Sequence, residues 1–146
     1  MKIFIYLLLP ILIMSCNQDQ GPEQVLRSYV NLRFQKGDNL KALIDKTTGE
    51  LKADLESLKT LGEEARKKFD QSSQFKKKTL KVISRDCNKK TCKITYIISY
   101  EKESSGNPYN AEIRNVANLS FVDGVWKIGS IGGLKSYFES KKDIEP

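Results

Sequence analysis

The sequence predicts a single α+β domain in which N-terminal helices pack on an antiparallel meander of four strands, followed by a short C-terminal helix. Two observations predict this class. Apolar residues recur at helical spacing from Pro22 to about Phe69, and they alternate with polar residues from Phe75 onward. Chains in which helices come first and strands follow are typical of α+β domains.

Three helices are expected before the strands. The first runs from Pro22 to about Lys36, because proline suits the first helical turn and Gly37 can end the last one. A shorter helix is expected over 40–46 and a third over 47–61, where leucines recur at spacings of four, three and three residues. One or two further helical turns are expected over 63–69.

Four strands are then expected, of which the first ends near Cys87. The others cover 91–103, 109–122 and 125–131, and the Asp123-Gly124 pair between the last two favours a two-residue hairpin turn. The second strand has the clearest alternation. Its large apolar and aromatic residues share one face: Ile94, Tyr96, Ile98 and Tyr100.

The C-terminal segment is expected to change from strand to helix. Gly132 and Gly133 come directly after the last alternating residue, and glycine pairs commonly mark the end of an element. The sequence therefore predicts a short helix over 134–140.

The N-terminal segment has the pattern of an export signal. Lys2 precedes an apolar run from Ile3 to Met14 that contains one proline. Twelve helical residues rise about 18 Å, which is well short of a hydrocarbon core of about 30 Å. A cleaved signal peptide therefore fits this segment better than a membrane-spanning helix.

Residues 13–16, Ile-Met-Ser-Cys, resemble the lipobox of bacterial lipoproteins. The resemblance implies a signal peptide over 1–15, fatty acylation of Cys16, a lipidated tether over 16–21 and one folded domain over 22–146. By resemblance to enteric sorting rules, Asn17 favours the outer membrane over the inner one, with the domain on the periplasmic face. A non-lipidated signal with a chance cysteine is the alternative.

The basic residues are unevenly distributed. The chain has 25 Lys and Arg against 18 Asp and Glu, and much of the excess lies between Arg66 and Lys93. Such a segment suits anionic lipid headgroups or an acidic envelope polymer, whereas the predicted compartment argues against nucleic acid. The alternative is a solvated face without a partner. The residues chosen as the candidate basic patch are Lys76, Lys77, Lys78, Lys89 and Lys90.

Cys87 and Cys92 are expected to form a structural disulfide. Four residues separate them, between two strand-like runs, so the two cysteines can meet across a hairpin. A redox-active pair would have two intervening residues, and a zinc site would need further ligands in a chain that has no histidine. No metal and no cofactor are expected.

Two short motifs suggest a family. Residues 25–30 with Gly37-Asp38, and residues 123–128 with their tryptophan, resemble the opening helix and final hairpin of the nuclear-transport-factor-two-like superfamily. The resemblance implies a curved, cone-like sheet that helices close into a pocket. Enzymes of that superfamily place an Asp, a Tyr or an Asp–His pair in the cone, and the absence of histidine here excludes the dyad.

Polar and aromatic residues on the predicted inner face are the candidate pocket, with filling of an ordinary core as the alternative. They are Tyr29, Tyr96, Tyr100, Asn115 and Trp126. No catalytic residue can be assigned, because no nucleophile–base pair is visible. We therefore expect a non-enzymatic module that binds an envelope component, an unidentified partner protein or a small apolar ligand. A proton-transfer enzyme (isomerase, cyclase or dehydratase) and an electrostatic envelope tether are the alternatives.

Overall fold

The computed structural model describes residues 20–61, 76–104 and 107–140. The predicted signal peptide, Cys16 and the helical turns expected over 63–69 lie outside these residues. Helices precede strands, as predicted for an α+β domain. The helices are α1 (Pro22–Phe34), α2 (Leu40–Asp45) and α3 (Gly49–Thr60), and the strands are β1 (Lys76–Cys87), β2 (Thr91–Ser104), β3 (Asn107–Val122) and β4 (Val125–Ser140).

The first helix begins and ends where local chemistry favours it. Pro22 occupies the first turn, and Glu23 adds a negative charge near the positive end of the helix dipole. At the other end the side-chain amide of Asn39 donates hydrogen bonds to the carbonyls of Leu32 and Gln35, at 3.3 and 3.0 Å. The Leu32 carbonyl also accepts from the amide of Gln35, so Asn39 adds to the hydrogen bonding that ends the helix.

The four strands form one antiparallel sheet in the order β1-β2-β3-β4. The predicted hairpin turn is confirmed: Asp123 and Gly124 both have positive φ, 52° and 80°, as a type I′ turn requires. The ladder shifts register between Val82 and Ser84 and twice along β3, and such bulges bend and twist a strand. The sheet is accordingly curved.

The predicted C-terminal helix is wrong, because β4 continues as a strand to Ser140. Gly132 and Gly133 lie within it, opposite Val116 and Asn115 of β3. The 16 residues of β3 provide hydrogen-bonding partners along the whole of β4, and this pairing overrides the local tendency of two glycines to end a strand.

The core lies between the helices and one face of the sheet, which we call the inner face. From β2 it contains Cys92, Ile94, Tyr96, Ile98 and Tyr100, which confirms the predicted alternation. The helices contribute Val25, Leu26, Tyr29, Val30, Leu40, Leu43, Ile44 and Leu55.

The link between α2 and α3 attaches the helical layer to the outer edge of β4. The amide of Thr48 donates to the carbonyl of Ile128 at 2.9 Å, and the amide of Ile128 donates to the carbonyl of Lys46 at 3.0 Å. Backbone groups at this point of the sheet edge therefore have partners within the chain.

Candidate functional site

Three of the five predicted pocket residues come together on the inner face. Tyr96 and Asn115 are directly opposite in the β2–β3 register. Tyr29 of α1 lies close enough to interact electrostatically with Tyr96. Only 1% of Tyr96 is exposed, so its surface is covered by neighbouring atoms and not by an open cavity.

Both phenols of this group are held in the neutral form. Burial raises the pKa of Tyr96 far above its usual value, and the neighbouring Tyr29 raises it further, against the opposing effect of the hydrogen bond with Asn115. Burial also raises the pKa of Tyr29, although the positive charge of Arg33 partly opposes this. Phenols with raised pKa values are poor proton acceptors near neutral pH.

Tyr100 lies elsewhere on the inner face, against the C-terminal end of α1. Its ring packs on Phe34 with centroids 6.2 Å apart. The ammonium group of Lys78 lies 5.4 Å from the centroid of the same Phe34 ring and donates to the carbonyl of Asn31 at 3.1 Å. Tyr100 is therefore part of a packed junction between α1 and the sheet.

Trp126 lies at the opposite end of the domain. It packs against Phe121 with ring centroids 5.4 Å apart. Phe121 is six residues beyond Asn115 on β3, which corresponds to about 20 Å along an extended strand. The five predicted pocket residues thus occupy three separate places.

A cleft of about 610 Å³ opens beside Trp126. We call it the tether-end cleft because its wall includes Gln20 and Gly21, the last residues of the predicted tether. The start of α1, the end of α2, the β1–β2 turn and the β3–β4 hairpin surround it. Its lining residues are Gln20, Gly21, Val25, Asp45, Lys46, Lys89, Phe121, Gly124, Val125 and Trp126. The lining thus combines apolar side chains with polar and charged ones, and both kinds of group occur in binding sites.

Lys89 is held at the cleft by the short turn between β1 and β2. Cys87 and Cys92 form the predicted disulfide at the base of this turn, with their Cα atoms 3.9 Å apart. The side-chain oxygen of Asn88 accepts hydrogen bonds from the amides of Lys90 and Thr91 at 2.8 and 2.7 Å. The turn is therefore closed by a covalent bond and by hydrogen bonds.

The predicted basic patch divides into two groups. Lys89 and Lys90 lie exposed at the tip of the first hairpin, whereas Lys76, Lys77 and Lys78 lie at the far end of β1. From Lys78 to Cys87 an extended strand covers about 30 Å. Residues adjacent in the sequence block are therefore far apart in the fold, and only the Lys89–Lys90 group is near the tether-end cleft.

A charged cluster that the sequence did not suggest connects α1 with β1. The Glu23 carboxylate accepts from Arg27, one turn later on the helix, and from Arg85 of β1, each at 2.9 Å. Arg27 also donates to the carbonyl of Leu80 at 3.3 Å. These residues line a shallow surface depression, and their mutual pairing accounts for their positions. A contact across 62 residues has no signal in the local sequence.

Metal ligands, buried polar atoms and long apolar helices add no candidate site in the part of the chain that the structure describes. Its His, Cys, Asp and Glu residues form no group of three or more that could hold a metal ion. Every fully buried side-chain nitrogen or oxygen there has a hydrogen-bonding partner. None of the described helices is both long and apolar enough to cross a membrane.

Comparison with known proteins gives no relative. No protein-family model matches the chain, and no curated protein or solved structure matches it either.

Proposed function

We propose that this chain is a lipid-anchored lipoprotein of the bacterial cell envelope whose periplasmic domain is a non-enzymatic binding module with its site in the tether-end cleft. One observation carries the proposal. The cleft is lined by Gln20 and Gly21, the residues that end the predicted tether, so this concave site lies beside the predicted point of attachment.

The length of the tether supports this arrangement. Gln20 lies four peptide steps after Cys16. Even fully extended they span only about 14 Å. An acylated Cys16 would therefore keep the cleft close to the bilayer surface, and Asn17 favours the outer membrane as its location.

The lining of the cleft favours an amphiphilic ligand. Val25, Phe121 and Trp126 supply apolar surface, while Lys46 and Lys89, opposed only by Asp45 among the lining residues, suit an anionic group. Amphiphiles with an acyl chain and a negatively charged head, which are common constituents of bacterial envelopes, have both properties.

Binding is a better account of the domain than catalysis. A proton-transfer enzyme with a cone-like pocket would need space for a substrate beside a phenol or carboxylate. Tyr96 is only 1% exposed and lies in a closely packed group with Tyr29 and Asn115, so there is no open space for a substrate beside its phenol. The described inner face resembles a filled core more than a substrate cavity.

Trp126 provides a direct test, because it is the only tryptophan in the chain. A lysophospholipid with an anionic headgroup, added below its micellar concentration, should shift Trp126 emission to the blue in a saturable manner. Val125→Glu places a charge on the cleft wall at a side chain that is 50% exposed and should weaken this response, whereas Leu134→Glu, at a 58% exposed site on β4, should leave it unchanged. An emission spectrum that does not respond to the amphiphile would contradict the proposal.

A further inference from the structure

We propose that the tether-end cleft faces the bilayer that holds the anchor, with Phe121, Val125 and Trp126 in the interfacial layer and Lys89 and Lys90 against anionic lipid headgroups. This inference rests on the proposed function and names the surface that meets its site. The partner is a bilayer surface that contains anionic lipid.

The geometry of attachment selects this end of the domain. The tether allows about 14 Å between Cys16 and Gln20. The strands that extend from the cleft are far longer than this distance, since β1 alone covers more than about 30 Å. Of the two ends of the sheet, only the one that carries the tether-end cleft can rest on the membrane while the tether is short.

The apolar residues at the cleft end of the domain are more exposed to solvent than core residues are. Phe121 is 43% exposed and Val125 is 50% exposed, and both flank the turn of the last hairpin next to Trp126. The other large apolar residues that are strongly exposed in the described structure, Leu61, Ile83 and Leu134, do not line this cleft. Aromatic residues, tryptophan above all, are enriched where proteins meet the membrane–water interface.

The charges at this end complement an anionic surface. Four lysines of the described residues lie around the cleft and its hairpins, and two aspartates there carry the opposite charge. The lysines are Lys46, Lys89, Lys90 and Lys127, and the aspartates are Asp45 and Asp123. Lys93 and Asp86 are neighbours in the β1–β2 register and offset each other. The excess of lysine matches the negative potential of a bilayer that contains anionic lipid.

The two parts of this surface are joined through the backbone. The amide of Phe121 donates to the carbonyl of Lys90 at 2.8 Å, which connects the last hairpin to the lysine-bearing turn. The disulfide then fixes that turn at its base. Aromatic residues and lysines are thereby presented together, so binding would need little further ordering.

The test uses the full mature protein, purified from membranes with its anchor and reconstituted into vesicles whose lipids carry bromine near the headgroup end of the acyl chains. Bromine quenches tryptophan only at close range. We expect strong quenching of Trp126 in vesicles that contain phosphatidylglycerol. The control is the double variant Trp126→Phe/Phe34→Trp, which moves the only tryptophan to the C-terminal end of α1, away from the cleft. Its fluorescence should be quenched little.

Paired lysine substitutions test the electrostatic part. Each lysine near an anionic surface is expected to contribute about five-fold to the docking equilibrium, so Lys89→Gln/Lys90→Gln should weaken docking about 30-fold. Lys36→Gln/Lys81→Gln removes the same charge at exposed sites away from the cleft and should have no effect. The quenching should also decrease with added salt and in purely zwitterionic vesicles.

Flotation of the same vesicles separates the two proposals. Protein that floats with the vesicles while Trp126 stays unquenched would overturn the docking surface and leave the anchor intact. Protein that does not float, and has no acyl group, would overturn the anchor. Trp126 emission that responds to a soluble lysophospholipid but not to vesicles, or quenching that is equal in anionic and zwitterionic vesicles, would also contradict docking on anionic lipid.

Discussion

The backbone amide of Phe121 donates a hydrogen bond of 2.8 Å to the carbonyl of Lys90, and this bond joins the β1–β2 turn to the hairpin of β3 and β4. Through it, the disulfide-closed turn that carries Lys89 and the aromatic pair of Phe121 and Trp126 form one side of the tether-end cleft. The integrity of the first hairpin therefore affects the site as well as the stability of the fold.

Removal of the Cys87–Cys92 disulfide should destabilise the domain measurably. In the chain-entropy model, closing a ring of this size stabilises the folded state by about 2 kcal/mol. We expect Cys87→Ser/Cys92→Ser to lower the free energy of unfolding by about that amount in urea titrations. Addition of a reductant should destabilise the wild-type protein similarly and leave the double variant unchanged. A double variant as stable as the wild type would contradict this expectation.

The continuation of β4 predicts where a core substitution will be costly. Ile128 is fully buried opposite Leu119, and its backbone also pairs with the α2–α3 link. We expect Ile128→Ala to lower the free energy of unfolding by about 2–5 kcal/mol. Leu134, on the same strand but 58% exposed, is the matched control, and Leu134→Ala should change stability little. Equal effects of the two substitutions would contradict the described packing.

The sequence allowed most of the architecture to be predicted, but not the extent of β4. Alternation along Thr91–Glu103 was strong because one face of that strand is buried and the other is not. In β4, Gly132 and Gly133 provide no side-chain signal at all, and whether the chain continues as a strand depends on β3 lying beside it. That pairing is a property of the fold and cannot be detected in the local sequence.

Only part of the candidate site could be predicted, and the reason is similar. Alternation assigned Tyr96, Tyr100 and Trp126 to one face of the sheet, but it does not specify how far along the strands their neighbours lie. The tyrosines became part of the core, and only Trp126 reached a cleft. The predicted basic patch is divided because β1 is extended. Each residue of a strand adds about 3.3 Å, so the lysines at the start of β1 lie far from Lys89 and Lys90 beyond its end.

The Glu23 cluster should contribute more to stability than an ordinary surface ion pair. Glu23 contacts Arg27 and Arg85 at 2.9 Å and connects two elements, whereas the Lys52–Glu56 pair lies within α3 at 3.8 Å. All these groups are partly exposed, so solvent screens them, and we expect Glu23→Gln to cost about 1 kcal/mol or less. The control Glu56→Gln should be close to neutral. A larger loss for the control in thermal unfolding would contradict the assignment.

The buried phenols predict a decrease in stability at alkaline pH. Tyrosine in an unfolded chain ionises near pH 10, whereas burial raises the pKa of Tyr96 above that value in the folded protein. The unfolded state therefore loses this proton first, so the free energy of unfolding should fall as the pH rises above about 10 and be unaffected below it.

Tyr96→Phe is the matched test of this dependence. It removes one ionisable phenol, so the alkaline decrease should be shallower than in the wild type. At neutral pH the variant should change the free energy of unfolding by about 1 kcal/mol or less, because it removes only the hydroxyl group of a buried side chain. Phenolate absorbance measured during titration should show the Tyr96 phenol ionising only together with unfolding. An identical pH dependence in both proteins would contradict the role of Tyr96.

Mass spectrometry of the N-terminal peptide of the protein extracted from bacterial membranes tests the central claim most directly. The lipoprotein account expects a mature chain that begins at Cys16 and carries fatty-acyl groups there, and expects Cys16→Ser to abolish both the processing and the acylation. A mature chain that begins at another residue, or one in which Cys16 retains an unmodified thiol, would contradict it.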